Sequence, residues 1–185
     1  MDSELVVIIK NGGIGVIPTD TMYGIVGSSL NKKTVERIYI VRKRTPSKPL
    51  IILISKISDL LIFNIKVDSE LEKTLKKLWP NKVSVILPCK QKRLEYLHRG
   101  TNKLAFRLPK NAKLRNFISK TGPLVAPSAN TEGDKPSKNI SQAQKYFGVN
   151  VDFYVDAGVM SSVPSTIIEI QNGEMKILRK GAVKI

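Results

Sequence analysis

The chain is poor in cysteine, histidine, aromatic residues and acid. Cys89 is its one cysteine, which excludes an internal disulfide framework. His98 is its one histidine, and one Cys with one His cannot build a typical zinc centre. A Ser-His-Asp triad would have to use His98, which stands in a basic stretch with no evident partner, so metal-hydrolase and triad chemistry are disfavoured. Aromatic residues make up 6% of the chain, too sparse for the stacking platforms that hold unpaired bases. Apolar runs such as Leu50 to Ile54 are strand-sized, far from the roughly 20 residues of a membrane span. The sequence opens Met1-Asp2-Ser3-Glu4, acidic where a signal peptide is basic, and a cytoplasmic location is expected. No Walker A pattern occurs, and Gly13-Ile14-Gly15 lacks the third glycine of the dinucleotide fingerprint. A nucleotide site would therefore have to be assembled from scattered cations and hydroxyls.

What is present is a core and an excess of positive charge. The 185 residues are enough for one domain, and an apolar content of 42% argues against disorder. Thirty-one Lys and Arg face fifteen Asp and Glu, a net charge of +16. Residues 90 to 120 hold ten of the cations (Lys90, Lys92, Arg93, Arg99, Lys103, Arg107, Lys110, Lys113, Arg115, Lys120) against Glu95 alone. Such a field attracts nucleotides, nucleic acid or an acidic surface, although a solvated basic face accounts for it equally well.

Hydrophobic periodicity and breakers divide the chain into alternating helices and strands. Asp2 or Ser3 caps a first helix that Asn11-Gly12-Gly13 ends. Ile14 to Ile17 reads as a strand stopped by Pro18, and Pro18 to Gly24 as a loop. Asn31 caps a second helix bearing Val35, Ile38, Tyr39 and Arg42 at helical spacing. Leu50 to Ser55 reads as a strand buried on both faces. A helix is expected over 68–78, strands over 82–88 and 103–109, and a helix over 112–120. A strand at Leu124 to Ala126 leads into Pro127-Ser128-Ala129-Asn130. A short helix follows over 141–147, then a strand leading into a loop over 152–158. A hairpin closes the sequence, 165–170 and 175–181, with Asn172-Gly173 as its type I′ turn. The expected fold is α/β (α+β): a twisted sheet of mixed parallel and antiparallel strands flanked by helices, all in a single domain over 1–185.

Three of these strands end in polar loops: Pro18-Thr19-Asp20-Thr21, Arg107-Leu108-Pro109 and Pro127-Ser128-Ala129-Asn130. Strand-end loops commonly line the ligand crevice of open sheets. Ordinary turn chemistry explains each loop taken alone. Arg42-Lys43-Arg44, followed at Lys48 by a fourth cation, marks either favourable charge at a helix end or a phosphate clamp. No general base stands out. Attack at phosphorus needs positioning and charge neutralisation more than a protein nucleophile, and a basic cleft with Ser, Thr and Asn suits it.

Five segments, GGIGVIPTDTMYGIVG, IYIVRKRTPSKPLIILI, KLAFRLP, GPLVAPSAN and VPSTIIEIQNGEMKILRKGAV, occur in order. In this the chain resembles the YrdC-like family over residues 4 to 183, in its short form. The resemblance implies a twisted mixed sheet with a deep, positively charged concave site. It implies L-threonylcarbamoyladenylate synthesis: L-threonine, bicarbonate and ATP, accompanied by Mg²⁺, give threonylcarbamoyl-AMP and pyrophosphate. No metal site of the protein's own is expected. The product would pass to a downstream threonylcarbamoyl transferase complex that forms N6-threonylcarbamoyladenosine at position 37 of transfer RNA.

Carried over by position, the resemblance implies threonine contacts for Thr21, Arg107, Ser128 and Ser165. It implies nucleotide contacts for Arg42, Arg44, Lys48, Lys103, Asn130, Asn139 and Arg179, with Arg44, Lys48 and Ser128 nearest the chemistry. Arg42 stands where the family has lysine, and Leu53 where it often has histidine. The loop 130–139 is one residue longer than usual. A structured-RNA or transfer-RNA binding module of the same fold is the alternative. A carbamoyl-adenylate step of hydrogenase maturation is a third reading, weakened because such domains sit in much larger chains.

Overall fold

The computed structural model describes residues 3–160 and 163–185. Asp2, one of the two residues read as a first cap, lies outside them. The helices are α1 (Ser3–Lys10), α2 (Lys32–Val41), α3 (Ser69–Leu78), α4 (Glu95–His98), α5 (Ala112–Thr121) and α6 (Ile140–Phe147). The strands are β1 (Ile14–Pro18), β2 (Tyr23–Ser28), β3 (Ile51–Leu53), β4 (Val83–Pro88), β5 (Lys103–Arg107), β6 (Leu124–Val125), β7 (Phe153–Tyr154), β8 (Thr166–Gln171) and β9 (Glu174–Arg179). They form one sheet in the order β7-β1-β2-β6-β3-β5-β4-β8-β9. Pairs β1/β7, β3/β5 and β4/β8 are parallel and the rest antiparallel, the mixed sheet that the sequence predicts.

Local signals set most boundaries. Asn31 accepts the Thr34 N–H at 3.3 Å and caps α2. Gly12, at φ +89°, turns the chain out of α1 while the Gly13 N–H reaches back to Ile8 O at 2.9 Å. Asn172 and Gly173 both have positive φ, as a type I′ turn requires.

Some expectations need correction. Residues 18–24 are not one loop: Pro18 pairs with Tyr23, and only Thr19 to Met22 lie between strands. Strand β2, YGIVGS, carries two glycines, a composition that hides a strand. Packing demands at least one of them, because a Cβ on Gly27 would lie 2.5 Å from the Thr34 methyl on α2. The strand expected over 50–55 shrinks to three residues. The stretch 152–158, expected as a strand leading into a loop, is strand at Phe153–Tyr154 and loop beyond. A 3-10 turn over Ile57–Phe63 had no clear sequence signal.

Alternation along the strands builds two cores. Ile14, Val16, Ile25, Ile52, Leu104, Phe106 and Ile168 face α2, α3, α4 and α6. On the opposite face Ile17, Val26, Leu53, Leu124 and Phe153 pack under α1 and α5. Those two helices cover the β7-β1-β2-β6-β3 end of that face. Beyond them β5, β4 and β8 turn Ala105, Arg107, Ser84, Ile86, Ile167 and Glu169 toward the same side, outside the core under α1 and α5. The uncovered half of this face is the floor of a cleft.

Candidate functional site

The cleft has two lobes that share Ile51, Pro127, Ser128 and Arg179 as a wall. The first, about 400 Å³, is bounded by Thr19, Thr21, Met22, Arg107 and Ser165. The second, about 510 Å³, is bounded by Arg42, Arg44, Pro49, Lys103, Glu169 and Leu178.

Arg107 ends β5 with its side chain 4% exposed. Its NH1 donates to Thr21 Oγ1 at 3.3 Å, and its NH2 faces Asp20 Oδ1 at 3.2 Å. Its Nε finds no hydrogen-bond partner among the described residues. Burial lowers the pKa of this guanidinium, and the neighbouring Asp20 carboxylate opposes that shift. The Thr19–Met22 turn presents Thr21: Thr19 Oγ1 donates to Met22 O at 2.6 Å and lies 3.1 Å from Thr21 Oγ1. Ser165 enters from the opposite wall, 2.9 Å from Ser84 Oγ. The Arg179 guanidinium grips its carbonyl at 2.8 and 3.2 Å. This lobe thus offers one buried arginine with free donor capacity, ringed by hydroxyls. Such a set fits a small carboxylate.

The PSAN segment is pinned across β2. Ile25 N–H donates to Pro127 O at 3.0 Å, and Ala129 N–H to Tyr23 O at 2.9 Å. This holds Ser128 at the junction of the lobes. Behind it lies Arg42, 2% exposed, donating from Nε to Asn130 O at 3.0 Å and from NH2 to Ser128 Oγ at 3.4 Å. Its NH1 is buried without a hydrogen-bond partner among the described residues. Burial, and then the nearby Arg44, push its pKa down to about 10. An anion in the cleft would favour its charged form. Arg44 is held by Lys48 O and Pro49 O, each at 3.1 Å, and borders the second lobe. Lys103 also borders it, paired with Glu169 at 2.5 Å.

Of the residues expected at a site, Thr21, Arg42, Arg44, Lys103, Arg107, Ser128, Ser165 and Arg179 line the two lobes. Three are placed differently. The Asn130 amide nitrogen donates to Thr131 O at 2.7 Å and Asp134 O at 3.0 Å while its Oδ1 accepts from Arg42 NH2 at 3.4 Å, so it ties Arg42 to its own loop and lines neither lobe. Asn139 caps α6 through the Gln142 N–H at 2.9 Å, outside both lobes. Lys48 lies outside the walls with its ammonium 2.9 Å from Glu132. Leu53, the expected departure, is fully buried under α1 and α5 and touches neither lobe. Sequence reasoning passed over Asp20 and Glu132. Asp20 stood within a quoted loop, but nothing local tied it to Arg107. His98 is not unpartnered: it is 4% exposed, with backbone groups at both ring nitrogens. The cations of 90–120 do not form one field either. They are spread over the turn that precedes α4, its C-cap Arg99, β5, α5 and the loops between, and α4 and α5 lie on opposite faces of the sheet.

The fold is thus a mixed sheet with a two-lobed cleft, one lobe holding a buried arginine among hydroxyls and the other bordered by Arg42, Arg44 and Arg179. The family model for Sua5, YciO and YrdC, described as "Telomere recombination", matches residues 7–181, and the chain belongs to that family. It is 28% identical over 181 residues to the threonylcarbamoyl-AMP synthase of Pyrococcus abyssi, covering 96% of this chain and 53% of that protein. It is 28% identical over 185 residues to the Bacillus subtilis protein of the same name, covering 98% and 53%. A crystal structure of P. abyssi Sua5 complexed with L-threonine matches with a TM-score of 0.87 at 26% identity, over 96% of this chain and 53% of that one. The chain thus spans about half the length of these relatives.

Proposed function

We propose that this chain is a threonylcarbamoyl-AMP synthase, a nucleotidyltransferase acting on L-threonine, bicarbonate and ATP. One observation carries the reading: Ser128 and Arg179 form the wall between a carboxylate-sized lobe with a buried arginine and a second, arginine-lined lobe. That layout suits joining an amino acid to a nucleotide.

In the proposed reaction Arg107 takes the threonine carboxylate, with Thr21 and Ser165 around the side chain. The threonine amine and bicarbonate form a carbamate with loss of water. A carbamate oxygen then attacks the α-phosphorus of ATP, the bond to the β-phosphate oxygen breaks, and pyrophosphate leaves. Arg42, Arg44 and Arg179 neutralise the charge that builds on phosphate oxygens, with Lys48 joining from the rim. Ser128 lies where the two substrates meet. Lys103 faces the nucleoside portion. Asn130 and Asn139 act through the loop and helix they hold. Mg²⁺ travels with ATP as substrate; among the described residues no three His, Cys, Asp or Glu side chains converge to hold a metal ion.

The product would serve a downstream transferase acting on transfer RNA, in the cytoplasm. Among the described residues no helix is long and apolar enough to cross a membrane. The continuity of the sheet from β7 to β9 supports reading 1–185 as one domain. The division of the 90–120 cations between two faces weighs against a dedicated RNA-binding face.

The test is pyrophosphate release from Mg·ATP and bicarbonate, with and without L-threonine, with the nucleotide product identified by mass. Threonine-dependent release with the mass of threonylcarbamoyl-AMP is expected. Folded protein that releases none would overturn the proposal.

A further inference from the structure

Glu132 lies two residues beyond Asn130, in the loop that follows the PSAN segment. Its backbone N–H donates to Arg42 O at 2.9 Å, tying the loop to the end of α2. Its carboxylate reaches into the basic turn after that helix. Oε2 accepts the Thr45 N–H at 2.5 Å and the Thr45 hydroxyl at 2.8 Å. Oε1 accepts Lys48 Nζ at 2.9 Å and lies 3.8 Å from Arg44 NH1. A backbone N–H, a hydroxyl, an ammonium and a guanidinium thus converge on one carboxylate. The same donor set holds phosphate oxygens wherever a loop binds a nucleotide. The Thr45 N–H, first, and then Lys48 hold the carboxyl down to about 2, so it is an anion throughout the working pH range.

Arg44 cannot turn both to Glu132 and to a phosphate without sharing its charge, and Lys48 has its ammonium already engaged. A phosphate arriving beside Glu132 would also meet a like charge. We infer that Glu132 is an internal occupant of the cation turn 44–48, standing where a phosphate oxygen of a polyphosphate ligand would bind, and so sets the affinity for that ligand. The carboxylate swings away when the phosphate enters, and the Glu132 N–H to Arg42 O bond keeps the loop in place while it does. The inference rests on the proposed nucleotide site, and it assigns a residue that limits affinity there.

A strut that merely holds Lys48 and Arg44 in position gives the opposite sign, which makes the experiment decisive. Inorganic tripolyphosphate, which carries no adenine and needs no threonine, is titrated calorimetrically into wild type, Glu132→Gln and Glu132→Ala. Both variants are first shown to be folded by circular dichroism. Glutamine keeps the shape and removes the charge; alanine removes the side chain, so one of the two suffices if the other fails to fold. The expected result is binding about 3- to 10-fold tighter in the variants at low ionic strength, the gain shrinking as salt screens the competing charge. Equal or weaker binding in the variants overturns the inference. A wild type that makes threonylcarbamoyl-AMP while its variants bind no tighter removes the inference alone. A wild type that makes no product, with variants that bind tripolyphosphate more tightly, removes the proposed activity and supports the inference.

Discussion

Replacing Arg107 by methionine separates the structural work of the first lobe from its chemical work. Methionine keeps an unbranched apolar stem and removes the guanidinium with its charge. Asp20, 4% exposed, then loses its cation and keeps one neutral donor, the Lys110 N–H at 3.2 Å. Stranding a buried carboxylate in this way costs about 3 kcal/mol, the low end of the range for a broken buried pair because that one donor remains. For a domain of this size the cost lowers the melting temperature by about 6–12 °C. Adding Asp20→Asn removes the stranded charge, so the double variant should recover about 2 kcal/mol of the loss. Activity should behave otherwise. Without the guanidinium no charge-assisted bond to the threonine carboxylate forms, and kcat/KM for threonine should fall about 10- to 100-fold in both variants. Denaturant unfolding of the four proteins in the cycle, with pyrophosphate release on each, makes the measurement. An Arg107→Met protein within about 1 kcal/mol of wild type, or a double variant less stable than it, would refute the buried-pair reasoning. A stable double variant with full threonine-dependent activity would remove Arg107 from the site.

Three further outcomes follow from the geometry. Arg42→Lys keeps the charge and loses the fork that reaches Asn130 O and Ser128 Oγ, so kcat/KM for ATP should fall about tenfold; unchanged kinetics would mean that position needs charge alone. Gly181→Ala would put a Cβ 2.5 Å from Pro164 O and Ser165 C, and backbone there has to move. Stability should drop by about 1–3 kcal/mol and threonine should bind more weakly by calorimetry, whereas no change in either would contradict the packing around Ser165. Finally, any stability that the Glu132 carboxylate contributes is fully present above its ordinary value of 4.5 and is lost as pH falls through about 2. The stability gap between wild type and Glu132→Gln should therefore close between pH 5 and pH 2, and a gap that stays constant would show that the carboxylate is not held as the structure has it.

The sequence alone determined the features that close within a few residues. Asn31, Gly12 and Asn172-Gly173 each fix a cap or a turn through neighbours three to five positions away, so their residue types name them. The continuous apolar run of Leu50 to Ser55 is equally local, and it already implied a strand buried on both faces. The site residues at strand ends were legible for a related reason: polar groups placed directly after apolar strands stand out against a core pattern. Tertiary structure decided whatever depends on distant partners. Strand β2 was hidden because its glycines answer to tertiary neighbours and not to strand propensity, Gly27 to Thr34 and Ile38 on α2 and Gly24 to Thr19 and Pro127. Asn130 and Asn139 keep residue types suited to a ligand, yet nearby backbone groups claim their amides. The basic run of 90–120 is continuous in sequence and divided in space, because β5 runs through the sheet between helices on opposite faces. Glu132 meets Lys48 across 84 residues, and Arg107 meets Thr21 across 86. No local pattern encodes such pairs, since the sheet order that brings them together is set by how nine strands bury two faces at once.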